Sequence, residues 1–186
     1  MSMDSFSEQL IKRRKTTLEK VMVVIMGVMA AILIVMFIIL AVIPGGGAFG
    51  SLFTFFGLLL AAGAGYLAYF VITGTNIEFE YTITNGSFDV DKIIAQRKRK
   101  RLLSVELKDF EKFGVYVLSE HAQKKYDQQI HAAGGWGGPY YFGVVNVKGK
   151  GTTLVVFEPN EKTLGLVKKF LPRQVAIDAF GRNGLN

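Results

Sequence analysis

The chain has 186 residues, of which 50% are hydrophobic and only 20% are charged, and it contains no cysteine. This composition excludes a disordered chain, a disulfide scaffold, a thiolate zinc site and a cysteine nucleophile. The 22 basic residues exceed the 15 acidic ones and give a net charge of +7. Apolar and charged residues occupy different parts of the sequence, which indicates a membrane protein.

The N-terminal segment, residues 1–20, is basic and partly apolar. Phe6, Leu10 and Leu18 would lie near one face of a helix, opposite the basic residues. Two alternatives stay open: an amphipathic helix in the plane of the membrane surface, and a solvated tail. The basic residues of this segment are Lys12, Arg13, Arg14, Lys15 and Lys20.

Two long apolar runs follow, at 21–43 and 52–73, separated by a loop over 44–51 that begins with a proline and three glycines. As helices rising about 1.5 Å per residue, each would be about 30 to 35 Å long, close to the ~30 Å hydrocarbon core of a bilayer. The sequence therefore predicts two transmembrane helices. The first run is too long for the apolar region of a cleavable signal peptide, which has about 7 to 15 residues.

The distribution of charge predicts the orientation of these helices. Basic residues precede the first run, whereas the loop between the runs is uncharged. By the positive-inside rule the loop lies outside, and both chain termini lie in the cytoplasm.

Small residues recur at a spacing of four within the apolar runs, which allows close approach of helix backbones. The preferred interpretation is that two stripes face each other within one hairpin, and the alternative is contact with a second copy in a homo-oligomer. The candidate packing residues are Gly27 and Ala31 in the first run and Gly57, Ala61 and Gly65 in the second.

Residues 74–180 have the pattern of a small soluble β domain, followed by a tail over 181–186. Ile77–Thr84 alternates apolar and polar residues and precedes Asn85-Gly86, a preferred hairpin turn. Pairing across this turn would place Tyr81 opposite Val90 on one face, with a bulge or an early strand end near Asp91.

Further strands are predicted at 102–108, 115–118, 140–147 and 152–158, with mostly antiparallel neighbours. A helix should begin after the N-cap Asn160 and end at Pro172. The predicted fold class is an α+β membrane protein: a two-helix transmembrane hairpin followed by a small antiparallel β domain closed by one C-terminal amphipathic helix.

This order of elements resembles the bacterial pleckstrin-homology-like membrane proteins. It is also similar to a group of small uncharacterised two-span bacterial proteins, through Tyr81–Gly86, Asp91–Ala95 with the basic run after it, and Phe157–Asn160 at the start of the last helix. The resemblance covers about residues 16–173. It implies a pleckstrin-homology-like domain over 74–180 and a location in the bacterial cytoplasmic (inner) membrane, and it carries over no catalytic residue.

Two features of the β domain are candidates for contact with a membrane surface. Five consecutive basic residues lie in a predicted loop between the second and third strands, where they would bind anionic lipid or remain solvated. A loop of glycines holds the only tryptophan, which would enter the membrane interface or pack on its own domain. The candidate contact residues are Arg97, Lys98, Arg99, Lys100, Arg101 and Trp136.

The sequence shows no catalytic signature, cofactor motif or metal-ligand set. His121 and His131 are the only histidines and lack ligand spacing, and the dinucleotide-like pattern at 63–68 lies inside an apolar run. We therefore expect a non-enzymatic, membrane-tethered module that binds a protein partner. The alternatives are a sensor of anionic lipid and a small-ligand binder or enzyme with an unrecognised pocket; nucleic acid binding is disfavoured because no aromatic platform accompanies the basic run.

Overall fold

The structure is a computed structural model that describes residues 5–42, 48–135, 137 and 139–181. The chain forms two compact units. One unit is continuous, Lys15–Asn76, and the other combines the chain up to Arg14 with the chain from Ile77 onward. A single folded domain is therefore built from both sides of an inserted segment.

The inserted unit contains two helices whose lengths and composition suit membrane spans. Most of their large apolar side chains are exposed on the protein surface. Thr54 donates a hydrogen bond from Oγ1 to the carbonyl oxygen of Ala41 (2.8 Å), so the two helices contact each other directly. The helices are α1 (Thr17–Val42) and α2 (Ala48–Gly74).

The first sheet of the β domain is a four-stranded antiparallel meander in the order β1-β2-β3-β4. The hairpin predicted around Asn85-Gly86 is present, and both turn residues have positive φ (51° and 97°), as a type I′ turn requires. The predicted pairing of Tyr81 with Val90 is confirmed. The strands are β1 (Phe6–Lys12), β2 (Ile77–Thr84), β3 (Ser87–Ile94) and β4 (Lys98–Glu106).

Strand β1 corrects the interpretation of the N-terminal segment. Residues 6–12 form neither an amphipathic helix nor a tail but pair with β2, from Phe6 opposite Thr84 to Lys12 opposite Glu78. Ser7 and Gln9 face the C-terminal part of the domain, where the Ser7 Oγ lies 3.1 Å from the Thr163 Oγ1. The domain therefore does not begin at residue 74, because it also requires this strand.

A second correction concerns β3 and β4. The irregularity expected near Asp91 lies between β3 and β4, at Val90/Asp91, whereas the pairing of β2 with β3 is regular. Strand β4 also begins at Lys98 and not at residue 102, so most of the basic run is strand and not loop. Arg99 and Arg101 of this strand form ion pairs with acidic residues on the neighbouring strands.

The second sheet has the order β5-β7-β8-β6, in which β6 is parallel to β8 and the other neighbours are antiparallel. The predicted strand at 115–118 is wrong: the strand ends at Val115, and Leu118 begins a short helix. The elements are η1 (a 3-10 turn, Leu107–Asp109), β5 (Phe110–Val115), α3 (Leu118–His121), β6 (Gln128–His131), β7 (Tyr141–Val147) and β8 (Gly151–Phe157).

The domain ends in two helices, α4 (Glu161–Phe170) and α5 (Arg173–Phe180), and not in the single helix expected. Asn160 caps α4 as predicted, accepting a hydrogen bond from the Thr163 amide (2.8 Å). Pro172 ends that helix but also occupies the N-cap position of the next, where its fixed φ suits a helix start. Helix α4 contacts β1, and α5 contacts β5.

The core lies between the two sheets and is rich in aromatic rings. Tyr81, Phe88 and Phe157 are fully buried, and their ring centroids are 5.1 to 5.6 Å apart where they touch. The Tyr81 hydroxyl donates to the carbonyl oxygen of Ala132, which ties β2 to the segment after β6. Burial raises the pKa of this hydroxyl.

Candidate functional site

The basic run lies mainly on β4, and strand alternation divides it between two faces of the first sheet. Arg99 pairs with Ile93 and Arg101 with Asp91, whereas Lys98 and Lys100 occupy the alternate positions. The run is therefore two separate sets of charges and not one continuous patch.

The arginine side chains face a row of carboxylates on β2 and β3, the acidic row, formed by Glu78, Glu80, Asp89 and Asp91. Arg99 lies 2.5 Å from Glu80, and Arg101 lies 3.1 Å from Asp91. Because Glu80 and Asp91 are buried, these ion pairs compensate charges that would otherwise be costly, and the buried Glu78 is paired with Lys12 (3.7 Å). The hydrogen bond to Asp91 and the charge of Asp89 raise the pKa of Arg101.

The turn between β3 and β4 places two residues in the left-handed region. Ala95 and Gln96 both have φ of 55°, and the Arg97 amide donates to the carbonyl oxygen of Ile94 (3.1 Å). L-residues pay about 1 to 2 kcal/mol for this conformation. Arg97, which follows this turn, is exposed.

A second basic segment meets the same end of the sheet. The Arg13 amide donates to the carbonyl oxygen of Ile77 (2.8 Å), and Ile77 is opposite Ile94, next to the turn. Two segments far apart in sequence thus meet where the chain leaves the domain towards α1 and returns from α2. We call this region the basic end; its residues are Lys12, Arg13, Arg14, Arg97, Lys98, Arg99, Lys100 and Arg101.

The glycine-rich loop also begins at the basic end. The Arg14 amide donates to the carbonyl oxygen of Gly134 (2.7 Å), and a Cβ added at Gly135 would lie 3.7 Å from that of Arg14. The Gly134 amide in turn donates to the Glu158 carboxylate (3.1 Å). Trp136 itself lies outside the described residues, so its contact with a surface stays a prediction.

The small residues of the apolar helices fulfil their expected packing only in part. A Cβ added at Gly57 would lie 2.9 Å from that of Ala41, and Ala61 is buried. Gly27 has open space around its Cβ position and Ala31 is exposed. Close contact is thus made by the stripe on α2, but its neighbours on α1 are not Gly27 and Ala31. For Gly65 the neighbour is Ile34, whose Cδ1 would lie 3.6 Å from an added Cβ.

A buried histidine, His121, lies on the outer face of the second sheet, and the sequence did not predict its burial. The His121 Nδ1 lies 2.8 Å from the Tyr126 hydroxyl, and its ring stacks on Tyr116 and meets Phe142 edge-on. Its Nε2 is buried without a hydrogen-bond partner in the described part of the chain. Burial, and then the charge of Lys124, lower the pKa of His121.

The surface also carries a polar groove with a volume of 490 Å³ between the ends of β4 and β7. Glu106, Asp109 and Lys148 line it, and neither histidine does. Within the described ranges, no group of three His, Cys, Asp or Glu residues has the arrangement of a metal site. The groove therefore does not identify a reaction.

Comparison with known proteins gives one match. The sequence model of the family described as Bacterial PH-like domain (DUF6106) matches residues 3–177, nearly the whole chain and including both β1 and the inserted helices. No curated protein and no solved structure matches the chain.

Proposed function

The chain belongs to the bacterial PH-like domain family, and from that premise we propose that it is a membrane-anchored module whose basic end binds the anionic surface of the bilayer. In this proposal α1 and α2 cross the bacterial inner membrane as a hairpin. Both termini and the PH-like domain lie in the cytoplasm.

The pairing of β1 with β2 supports the hairpin. β1 precedes α1 and β2 follows α2, yet the two strands are neighbours in one sheet. A folded sheet lies on one side of a membrane, so the segment between its strands must cross an even number of times. The contacts of Gly57 with Ala41 and of Gly65 with Ile34 follow opposite directions along the helices, as expected for antiparallel neighbours.

Charge supports the proposed orientation. Basic residues lie directly before α1, at positions 12–15, and near its start, at position 20, whereas positions 44–51 have none. The positive-inside rule then places the domain on the cytoplasmic side, where the leaflet is anionic.

The single observation that carries the proposal is that both basic segments meet where the domain joins the helices. Only Thr75 and Asn76 separate α2 from β2, so three Cα steps limit the separation of Gly74 and Ile77 to about 11 Å. That limit is close to the Debye length of about 10 Å at 0.1 M salt. Basic side chains at this distance would gain about 1 kcal/mol each from an anionic leaflet.

Acetylation of lysine side chains in the full-length protein tests this proposal. The protein is placed in nanodiscs of neutral phosphatidylcholine or of phosphatidylcholine mixed with phosphatidylglycerol, and modification is measured by mass spectrometry. Lys98 and Lys100 should react several-fold more slowly in the anionic discs, and high salt should remove the difference. Lys148 and Lys150, on the turn between β7 and β8, are internal controls. The proposal would be contradicted if each of the four lysines reacted at the same rate in neutral and anionic discs.

Binding of a protein partner is the second candidate function, and one surface feature favours it. Val115, Val117 and Leu118 are adjacent apolar residues on the domain, exposed by 55%, 43% and 69%. Exposed apolar patches mark interaction sites more often than isolated apolar residues do. Chemical cross-linking in the native host should capture a reproducible partner with the natural chain and lose it with Leu118→Ser. The absence of both a partner and self-association would remove the support for this function.

A further inference from the structure

Strand register places three lysines on one face of the first sheet. Lys92 on β3 lies directly opposite Lys100 on β4, and Lys98 lies two positions before Lys100. Lys92 is also opposite the buried Phe79, so these lysines share the core-side face of the sheet, beyond the aromatic core. We call Lys92, Lys98 and Lys100 the lysine face.

The lysines of the lysine face differ from Arg99 and Arg101 in whether a carboxylate neutralises their charge. No carboxylate lies within 4.0 Å of its ammonium groups in the described part of the chain. Arg99 and Arg101, on the opposite face, are bound to the acidic row. Among the described residues, the run therefore contains two arginines that form internal ion pairs, Arg99 and Arg101, and two lysines that form none, Lys98 and Lys100.

The pairing of Lys92 with Lys100 is unfavourable in the isolated domain. Residues directly opposite in an antiparallel pair have Cβ atoms about 4.5 to 5.5 Å apart, and like charges at these positions are destabilising. An anion between the two ammonium groups would remove this repulsion. Lys98 and Lys100 are exposed and Lys92 is half-buried, so such an anion can reach all three from solvent.

We propose that the lysine face binds the phosphate of an anionic phospholipid headgroup, whereas Arg99 and Arg101 stabilise the acidic row and do not contact lipid. This inference rests on the proposed function and names the residues responsible for it. Lipid, and not a soluble phosphate, is the expected ligand because the lysine face belongs to the end of the sheet that is joined to α1 and α2.

Three full-length variants test the inference. The first replaces the lysine face (Lys92→Gln, Lys98→Gln, Lys100→Gln), and the second replaces the paired arginines (Arg99→Gln, Arg101→Gln). The control removes three exposed lysines elsewhere (Lys148→Gln, Lys150→Gln, Lys162→Gln) and so changes the net charge as much as the first. Each protein, in neutral detergent, is titrated with short-chain phosphatidylglycerol, phosphatidylcholine of the same chain length, and inorganic phosphate.

The lysine-face variant should bind phosphatidylglycerol on the order of 100-fold more weakly, since each lost charge is worth about fivefold. It should also melt at an equal or higher temperature, because the repulsion between Lys92 and Lys100 is gone. The arginine variant should bind within a few-fold of the natural chain but melt at a lower temperature, and the control should change neither property.

Other results would overturn the inference. Retained binding by the lysine-face variant, or equal losses in the lysine and arginine variants, would refute this assignment while leaving the proposed function intact. Inorganic phosphate that binds as tightly as phosphatidylglycerol would refute the lipid as ligand. A natural chain that does not distinguish phosphatidylglycerol from phosphatidylcholine would refute both this inference and the proposed function.

Discussion

Strand β1 should be required for the PH-like domain to fold, although α1 and α2 separate it from the rest of the domain. A fragment that begins at Ile77 lacks this strand. We expect it to be unfolded, whereas a chain in which a short glycine-serine linker replaces residues 15–76 should fold. The linker is sufficient because the Arg13 amide and the Ile77 carbonyl oxygen are 2.8 Å apart.

The magnitude follows from the contacts of β1. The register joins the seven residues from Phe6 to Lys12 to β2, and an antiparallel pair makes about one backbone hydrogen bond per paired residue. At about 1 kcal/mol net for each bond, the loss is about 7 kcal/mol. Gln9 adds side-chain bonds to the Glu158 carbonyl oxygen (2.9 Å) and the Asn160 amide (2.8 Å). A whole domain is stable by about 5 to 15 kcal/mol, so this loss is comparable with the total free energy of unfolding.

Thermal denaturation followed by circular dichroism, together with the dispersion of amide resonances, distinguishes the two chains. The linker-joined chain should melt cooperatively, and the fragment from Ile77 should show no transition. A fragment that melts cooperatively at the temperature of the linker-joined chain would show that β1 is dispensable and refute the reasoning.

Three further perturbations have defined outcomes. Because the pKa of His121 is lowered in the folded domain, the unfolded chain takes up this proton first as the pH falls. The domain should therefore lose stability below the ordinary histidine pKa of about 6.5. Melting temperatures of the natural chain and of His121→Phe, measured from about pH 8 to about pH 5, should diverge at the acid end, and parallel curves would contradict this. Ala95→Gly should stabilise the domain by about 0.5 to 1 kcal/mol, because glycine accepts the φ of 55° without strain, and chemical denaturation that gives a lower midpoint would be evidence against it. Gly57→Ala should weaken the contact of α2 with α1, where the new Cβ would lie 2.9 Å from that of Ala41. Thermal melts in detergent should show this loss, whereas Gly63→Ala, which meets no atom within 4 Å, should not; equal effects would contradict the packing.

The β2–β3 hairpin was predictable because its signals are local. The alternation from Ile77 to Thr84 and the Asn85-Gly86 turn determine both the strands and their register. Strand β1 has no comparable signal, since two of its three apolar residues, Phe6 and Leu10, face outward and are exposed by 49% and 51%, and only Ile11 packs against the core. Its partner also lies beyond the inserted helices, a separation that local patterns do not report.

The basic end was predictable in composition but not in geometry. Five consecutive basic residues have the pattern of a loop, whereas ion pairs with the acidic row on β2 and β3 favour a strand there. Neither the alternation of paired arginines and unpaired lysines nor the approach of Arg14 to Gly134 follows from the sequence. Both depend on tertiary pairing between segments that are distant along the chain.

The central claim, that the basic end lies against an anionic membrane surface, is tested most directly by amide hydrogen exchange of the unmodified full-length protein in nanodiscs. Peptides that cover the turn at residues 95–97 and the loop at 134–135 should exchange more slowly in anionic discs than in neutral ones. High salt should abolish the difference, and the peptide that covers the turn at 148–150 should be unaffected. Identical exchange of the first two peptides in neutral and anionic discs would contradict the account.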